Sequence, residues 1–145
     1  VLAVLRERFD HVSAERVASG PGLVWLYEAL CTLAGQPPPA LEPADVLSRG
    51  TDASDAVCAE ALSLFVGFLG NVAGNLALTL GARGGVYIGG GIAPRLGAAL
   101  QRLPLRDRFE AKGRFESYLA AVPTWVITAD APALLGAARA LDAAC

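Results

Sequence analysis

The sequence predicts a helix-rich α/β fold with one long central helix and two short parallel strands. Residues 61–82 contain no charged side chain, which indicates a buried helix. Residues 86–88 and 122–127 are rich in β-branched and aromatic side chains and indicate strands. Helical segments separate these two runs, so a right-handed crossover would make the strands parallel. With 145 residues and 54% hydrophobic content, the chain can bury the core of one domain.

The N-terminal third predicts three helices joined by loops. Helical spacing of leucines and Phe9 predicts the first helix within residues 1–9. Residues 12–22 are so rich in glycine, serine and proline that we expect a loop there. Leucine spacing over 23–33 predicts the second helix, and residues 43–49 predict a third, which Gly50 should end.

The C-terminal half predicts shorter elements around the two strands. Residues 51–55 carry capping side chains for the central helix. Pro94 suits the first turn of a helix over 94–103, which Pro104 should end. A short amphipathic helix is expected over 115–119, and an alanine-rich helix over 132–141 should close the chain, with Asp130 as its capping side chain.

The uncharged stretch is also long enough to cross a membrane. We reject that alternative because small or polar residues recur at every fourth position and would need partners inside lipid. We expect this stripe to lie in a protein core, against either a sheet or a bound nucleotide. The stripe comprises Ser63, Gly67, Asn71, Asn75 and Thr79.

Composition excludes several classes of function. The net charge is −2 and no basic cluster is present, so we expect no nucleic-acid partner. The three cysteines are widely spaced and predict neither a metal site nor a disulfide framework, which fits a reducing cytoplasm. We expect Cys31 and Cys58 to be small core residues. The chain has no methionine and opens in a helical pattern, so we expect a piece of a longer protein without a signal peptide.

A glycine-rich turn follows the first strand, where residues 84–95 indicate a strand, a tight turn and a helix start. Gly89, Gly90 and Gly91 have no side chains, so a flat base or a phosphate could lie directly on their backbone near a helix N-terminus. The alternative is a tight connection that binds nothing, because glycine motifs have many false positives.

Glu15 is the candidate ligand of a polyol, because an ionised carboxylate can accept hydrogen bonds from two hydroxyl groups. On the residues alone we favour the alternative, a structural carboxylate that pairs with Arg16 or with a helix N-terminus, because most isolated carboxylates are merely solvated. Lys112 and Arg114 could reach a phosphate, but a cationic helix end capped by Gly113 is the commoner explanation.

Several ordered motifs together resemble the C-terminal half of bacterial glucokinases, which belong to the hexokinase and actin-like ATPase superfamily. Nearly the whole chain takes part in the resemblance. The motifs are the SAERV and SGPGL segments (13–17 and 19–23), GNLAL (74–78), GVYIGGGIAPR (85–95), Phe109 with KGRF (112–115), and LLGAA (134–138).

The resemblance implies that residues 1–145 form part of the large lobe of an actin-like ATPase (RNase H-like) fold. It implies that Glu15 binds hydroxyl groups of glucose and that Gly89, Gly90, Gly91 and Ile92 form the adenosine-binding turn. The implied reaction is phosphorylation of glucose by ATP with Mg²⁺, in a cytoplasmic homodimer. In this family the catalytic aspartate lies in the N-terminal lobe, which this sequence lacks, so we assign no catalytic and no metal-binding residue here. His11 inherits no role.

Two alternatives stay open at this point. A transcriptional regulator that retains a sugar-kinase domain would sense sugar without turnover. A non-catalytic dimerisation domain would explain the apolar helices without any ligand. A helix-turn-helix segment upstream would identify the regulator, whereas the dimerisation domain predicts no heat of glucose binding and tolerance of Glu15→Ala.

Overall fold

The computed structural model describes residues 1–144, which form helices and one two-stranded sheet. The elements are, in chain order, α1 (Leu2–Arg8), α2 (Ala14–Val17), α3 (Gly20–Leu33), α4 (Pro43–Thr51), α5 (Ala56–Leu80), β1 (Val86–Ile88), α6 (Ala93–Leu96), a 3₁₀ helix (Gly97–Arg102), α7 (Leu105–Glu110), a second 3₁₀ helix (Gly113–Phe115), α8 (Glu116–Ala120), β2 (Thr124–Val126) and α9 (Pro132–Ala144).

Helix α5 is the central element, as the uncharged stretch predicts. The carboxylate of Asp55 caps its start by accepting hydrogen bonds from the backbone N–H groups of Val57 (2.8 Å) and Cys58 (3.0 Å). Gly81 ends it in the left-handed conformation, at φ 61°. Its faces pack against α3, α4 and α7. A single long helix therefore organises the core.

Two glycines of α5 let α7 approach the helix backbone directly. A Cβ at Gly70 would lie 2.2 Å from the carbonyl oxygen of Leu105, and one at Gly74 would lie 2.4 Å from that of Phe109. Gly67 also faces α7, at the side chain of Arg108. The small-residue stripe was expected to face a sheet or a nucleotide, but its partner at Gly67 is this helix. Close helix packing explains the glycines.

By length and composition, α5 is the one helix within residues 1–144 that could cross a membrane. Its buried apolar side chains belong to hydrophobic clusters shared with α3, α4 and α7. A core helix passes the same length and hydropathy test, and α5 is central as expected. It is only partly buried, however, because Asn71, Asn75 and Thr79 of the stripe expected in the core are exposed.

Cys31 and Cys58 lie in the main hydrophobic cluster, with 3% and 0% of their surface exposed. Burial is the main cause that raises the pKa of Cys58 to about 11 and that of Tyr27 to about 12. Both groups are therefore neutral near pH 7. The expectation that Cys31 and Cys58 are core residues is confirmed, whereas Cys145 lies outside the described residues.

The two strands pair in parallel, as the crossover argument predicts. Val86 lies opposite Thr124, and Ile88 opposite Val126. Ile88 is buried in the main cluster, whereas the central pair, Tyr87 and Trp125, is 66% and 43% exposed. Their rings stack with centroids 4.9 Å apart. One face of this small sheet is therefore covered and the other is open.

Four local predictions are wrong at glycines and prolines. Residues 20–22 form the first turn of α3 instead of a loop, because the Ser19 hydroxyl caps that turn. Gly50 does not end α4, which continues to Thr51. The helix expected over 94–103 is one α turn followed by a 3₁₀ helix. Gly113 does not cap α7, which ends at Glu110.

Candidate functional site

A cavity of about 720 Å³ opens where α1, α2 and α3 meet, and Glu15 is part of its wall. The cavity combines charged, hydroxyl and aromatic side chains, which suits a polar ligand with an apolar face. Its lining residues are Arg8, Phe9, Asp10, His11, Ser13, Glu15, Arg16, Ser19, Pro21 and Trp25.

Glu15 lies on α2, a helix of four residues whose start and exit are both fixed by serines. The Ser13 hydroxyl accepts a hydrogen bond from the backbone N–H of Arg16 at 3.3 Å. The Ser19 hydroxyl accepts one from the backbone N–H of Gly22 at 3.2 Å and so begins α3. The serine-rich and glycine-rich sequence that suggested a loop therefore encodes two successive helix starts.

Gly22 allows these two helices to touch. A Cβ at this position would lie only 2.2 Å from the carbonyl oxygen of Arg16 and 2.9 Å from the carbonyl carbon of Val17. No side chain fits in that space, so the residue must be glycine for α3 to start against the end of α2. This contact fixes α2, and with it Glu15, relative to a long helix.

The carboxylate of Glu15 has no partner of its own in the described part of the chain. The side chain is exposed, and no ion pair or hydrogen bond to it occurs within residues 1–144. The alternative in which Glu15 pairs with Arg16 is therefore not observed. Both carboxylate oxygens are available to accept hydrogen bonds from hydroxyl groups.

Arg16 turns toward α1 instead. Its Nε–H donates a hydrogen bond to the backbone carbonyl of His11 at 3.1 Å, and its guanidinium carbon lies 4.1 Å from the centroid of the Phe9 ring. Phe9 in turn packs against Trp25 of α3, with ring centroids 4.6 Å apart. The aromatic pair Phe9 and Trp25 therefore lines the cavity, and its Phe9 ring also contacts Arg16, the residue next to Glu15.

The glycine turn after β1 presents open backbone. Gly89, Gly90 and Gly91 are all exposed, and a Cβ at Gly90 or Gly91 would meet no atom within 4 Å. Gly90 has φ 111°, a conformation that side chains strongly disfavour. A flat ring could therefore reach the peptide planes of this turn.

The helix after the turn departs from expectation. Helix α6 has four residues, so its N-terminus has little of the charge effect that a long helix would add. The cavity at Glu15 is not lined by any of residues 89–92. Within residues 1–144 the structure thus holds the two candidate sites apart instead of in one shared cavity.

Lys112 is engaged inside the chain. Its ammonium group donates hydrogen bonds to the backbone carbonyl of Asn71, at 3.1 Å, and to the side-chain oxygen of Asn71. Burial lowers the pKa of Lys112. The guanidinium of Arg114 lies over the Phe115 ring, 4.9 Å from its centroid. A role for Lys112 at a phosphate would require it to leave Asn71.

Over residues 1–144, no group of three or more histidine, cysteine or acidic side chains could hold a metal ion.

Sequence reasoning missed the contributions of Phe9, Arg16 and Trp25. Phe9 directly follows α1, Arg16 lies in α2 and Trp25 in α3, so their contact depends on how the three helices pack. No spacing in the sequence encodes that arrangement. The only available signal was an aromatic residue at the end of the first predicted helix.

Comparisons with known proteins agree on one family. The glucokinase family model matches residues 1–144. The glucokinase of Aromatoleum aromaticum is 61% identical over 142 residues, which are 98% of this chain and 43% of that protein. The glucokinase of Nitrobacter hamburgensis is 53% identical over 139 residues, 96% of this chain and 43% of that protein. The crystal structure of a glucokinase from an Antarctic psychrotroph superposes with a TM-score of 0.87 at 39% identity, covering 97% of this chain and 44% of the other.

Proposed function

The chain belongs to the glucokinase family, and we propose that the full-length protein containing it transfers a phosphoryl group from ATP to the 6-hydroxyl of glucose. The chain spans 43% of the length of the two curated relatives compared above. In this proposal it forms part of the large lobe, and the remainder of the protein supplies the catalytic lobe.

One observation carries the proposal: an exposed, unpaired carboxylate on the wall of a cavity large enough for a sugar. Glu15 accepts hydrogen bonds from two hydroxyl groups of glucose in this proposal. Ser13 and Ser19 also line this cavity of about 720 Å³, and in this proposal their hydroxyl groups contact the same sugar. Aromatic side chains such as Trp25 cover apolar faces of sugars, which adds to the fit.

The adenosine of ATP is proposed to lie on Gly89, Gly90, Gly91 and Ile92. The support is the bare, exposed backbone of this turn and the open space above Gly90 and Gly91. Mg²⁺ is proposed to neutralise charge between the phosphate groups of ATP. Residues 1–144 offer no cluster of ligands for it, so its protein ligands are not assigned here.

The chemical step consists mainly of alignment and charge stabilisation. The residues of this chain are assigned to binding: Glu15 orients the sugar and the glycine turn orients the nucleotide. The base that takes the proton of the 6-hydroxyl is assigned to the rest of the protein. We also propose a cytoplasmic homodimer. No observation on this chain favours a sugar-sensing regulator or a non-catalytic dimerisation domain.

A coupled assay of ADP formation by the full-length protein tests the function. We expect turnover that depends on glucose. We expect 6-deoxyglucose, which lacks the accepting hydroxyl, to compete with glucose without being phosphorylated. A folded full-length protein without glucose-dependent ADP formation would contradict the proposal.

A further inference from the structure

The helix that carries Glu15 is too short to hold itself in place. Isolated helices of four residues are unstable because one turn fixes several dihedral angles for very few hydrogen bonds. Only Val17 of α2 is buried. The position of the Glu15 carboxylate must therefore depend on contacts that tie this turn to more rigid parts of the chain.

We propose that Arg16 is a positioning residue for Glu15, an inference that rests on the proposed function. Its Nε–H donates to the carbonyl oxygen of His11 at 3.1 Å, which closes the chain between α1 and α2 into a compact loop. Its guanidinium lies 4.1 Å from the centroid of the Phe9 ring. Two contacts of different kinds thus hold one side chain.

The ring under Arg16 is itself anchored to α3. Phe9 packs against Trp25 at 4.6 Å between ring centroids. Arg8 lies 5.3 Å from the Trp25 ring centroid and forms an ion pair of 2.8 Å with Glu28. Arg16 therefore connects α2, through the Phe9 ring, to the fourteen-residue helix α3, in addition to the backbone contact at Gly22.

The chemistry of this contact requires arginine. A guanidinium is planar, so it can lie flat on a ring while its Nε–H points along the plane to a carbonyl oxygen. A lysine keeps the charge but offers no such plane. Consecutive helical residues point about 100° apart, so Arg16 can make these contacts without occupying the position of the Glu15 carboxylate.

The test is a set of variants of the full-length protein: Arg16→Met, Arg16→Lys, Glu15→Gln, and Glu15→Gln combined with Arg16→Met. Arg6→Met is the control, because Arg6 is exposed on α1 and does not line the cavity. Arg16→Met keeps most of the side-chain length but loses the donor and the charge.

We expect Arg16→Met to raise KM for glucose about tenfold, with kcat and KM for ATP nearly unchanged, as for a lost interaction with bound substrate. Arg16→Lys should lie between this variant and the wild type, and Arg6→Met should match the wild type. The double variant should be no worse than Glu15→Gln alone, because a positioning residue acts through Glu15.

Effects of Arg16→Met and Glu15→Gln that add independently would overturn the inference, as would an Arg16→Met variant with unchanged KM for glucose. If Arg16→Met does not fold, KM for glucose is compared in the same way for Arg16→Lys, alone and combined with Glu15→Gln. Amide hydrogen exchange of residues 14–18 should quicken in Arg16→Met whether or not the protein is active. Absence of turnover in the wild type would count against the proposed function instead.

Discussion

At the scale of single residues, the environment of Glu15 shows why adjacent opposite charges need not pair. Arg16 follows it directly, yet the arginine contacts Phe9 and the carbonyl of His11. Helical neighbours at i and i+1 point in different directions, whereas residues three or four apart share a face. The carboxylate is left free for a ligand by the same contacts that fix the helix carrying it.

The substitution Gly91→Ala adds one methyl group and tests whether adenosine binds at the glycine turn. The φ of Gly91 is not positive, and a Cβ there meets no atom within 4 Å, so Gly91→Ala should fold with unchanged stability. The new methyl would stand where the adenosine is proposed to lie. We expect KM for ATP to rise about tenfold, because an added methyl in a packed contact costs on the order of 1–3 kcal/mol. Steady-state kinetics of the full-length variant measure this.

Two control variants distinguish a steric clash with bound ATP from strain in the protein backbone. Gly84→Ala adds an equally unobstructed methyl before β1 and should leave KM for ATP unchanged. Gly90→Ala forces alanine to φ 111° and should lower the free energy of unfolding by about 1–3 kcal/mol. If Gly91→Ala binds ATP as well as the wild type does, the turn is only a tight connection.

At the scale of elements, α5 combines a polar stripe with glycines that admit another helix. Gly70 and Gly74 lie against backbone carbonyl oxygens of α7, while Asn75 and Thr79 are exposed. The close approach occurs at Gly70 and Gly74, which are not members of the stripe, so the stripe in the sequence did not predict it. Here the partner is a helix of six residues that follows Pro104.

A pair of alanine substitutions in α5 should have opposite effects on stability. A Cβ at Gly70 would overlap the carbonyl oxygen of Leu105, so Gly70→Ala should lower the free energy of unfolding by about 2 kcal/mol or more. At Gly67 the nearest atom is the Arg108 Cγ at 3.5 Å, an ordinary contact. Gly67→Ala should raise the free energy of unfolding by up to about 1 kcal/mol through helix propensity.

Chemical denaturation of both variants of the full-length protein measures the difference. Equal destabilisation by the two substitutions would mean that α7 does not approach α5 as described.

Most elements could be predicted from the sequence, because apolar spacing reflects burial. The spacing of Leu2 and Leu5 predicted α1, and the uncharged stretch and the β-rich runs predicted α5 and the strands. Predictions failed where glycine and proline lie inside helices. Gly20 and Pro21 occupy the first turn of α3, where proline lacks only a hydrogen bond that the helix does not need.

The candidate site could be predicted from the sequence only in part. Most isolated carboxylates are solvated, so Glu15 alone would have been assigned no ligand, and the family resemblance made it a candidate. Its cavity could not be predicted because the wall comes from three helices. The turn at Gly89–Gly91 was easier to predict as a turn, since glycines after a β-rich run allow a tight connection, but the sequence alone left open whether it binds a ligand.

At the scale of the whole molecule, the exposed aromatic side chains on the open face of the sheet indicate that another part of the full-length protein packs against them. Parallel strands are normally buried on both faces, yet Tyr87 and Trp125 are exposed here. Helix α9 also exposes Leu134, Leu135 and Leu141. The curated relatives compared above are more than twice as long as the matched part. We therefore propose that the rest of the full-length protein covers these side chains.

Leu134→Ala in the full-length protein tests this coverage. Leu134 is 72% exposed in the described chain, and alanine is the better helix former. If the residue is covered in the full-length protein, the substitution should lower the free energy of unfolding by about 2–4 kcal/mol. A neutral or stabilising effect would mean that α9 stays exposed. Denaturant unfolding followed by circular dichroism gives the value.

The most direct measurement of the central claim is KM for glucose in full-length Glu15→Gln, beside Glu7→Gln as a control. Glu7 is an exposed carboxylate on α1 that does not line the cavity. Loss of charge-assisted hydrogen bonds of about 1.5–3 kcal/mol predicts a KM raised about ten- to hundredfold in Glu15→Gln, with Glu7→Gln unchanged. An unchanged KM in a folded, active Glu15→Gln enzyme would contradict the assignment of this cavity as the glucose site.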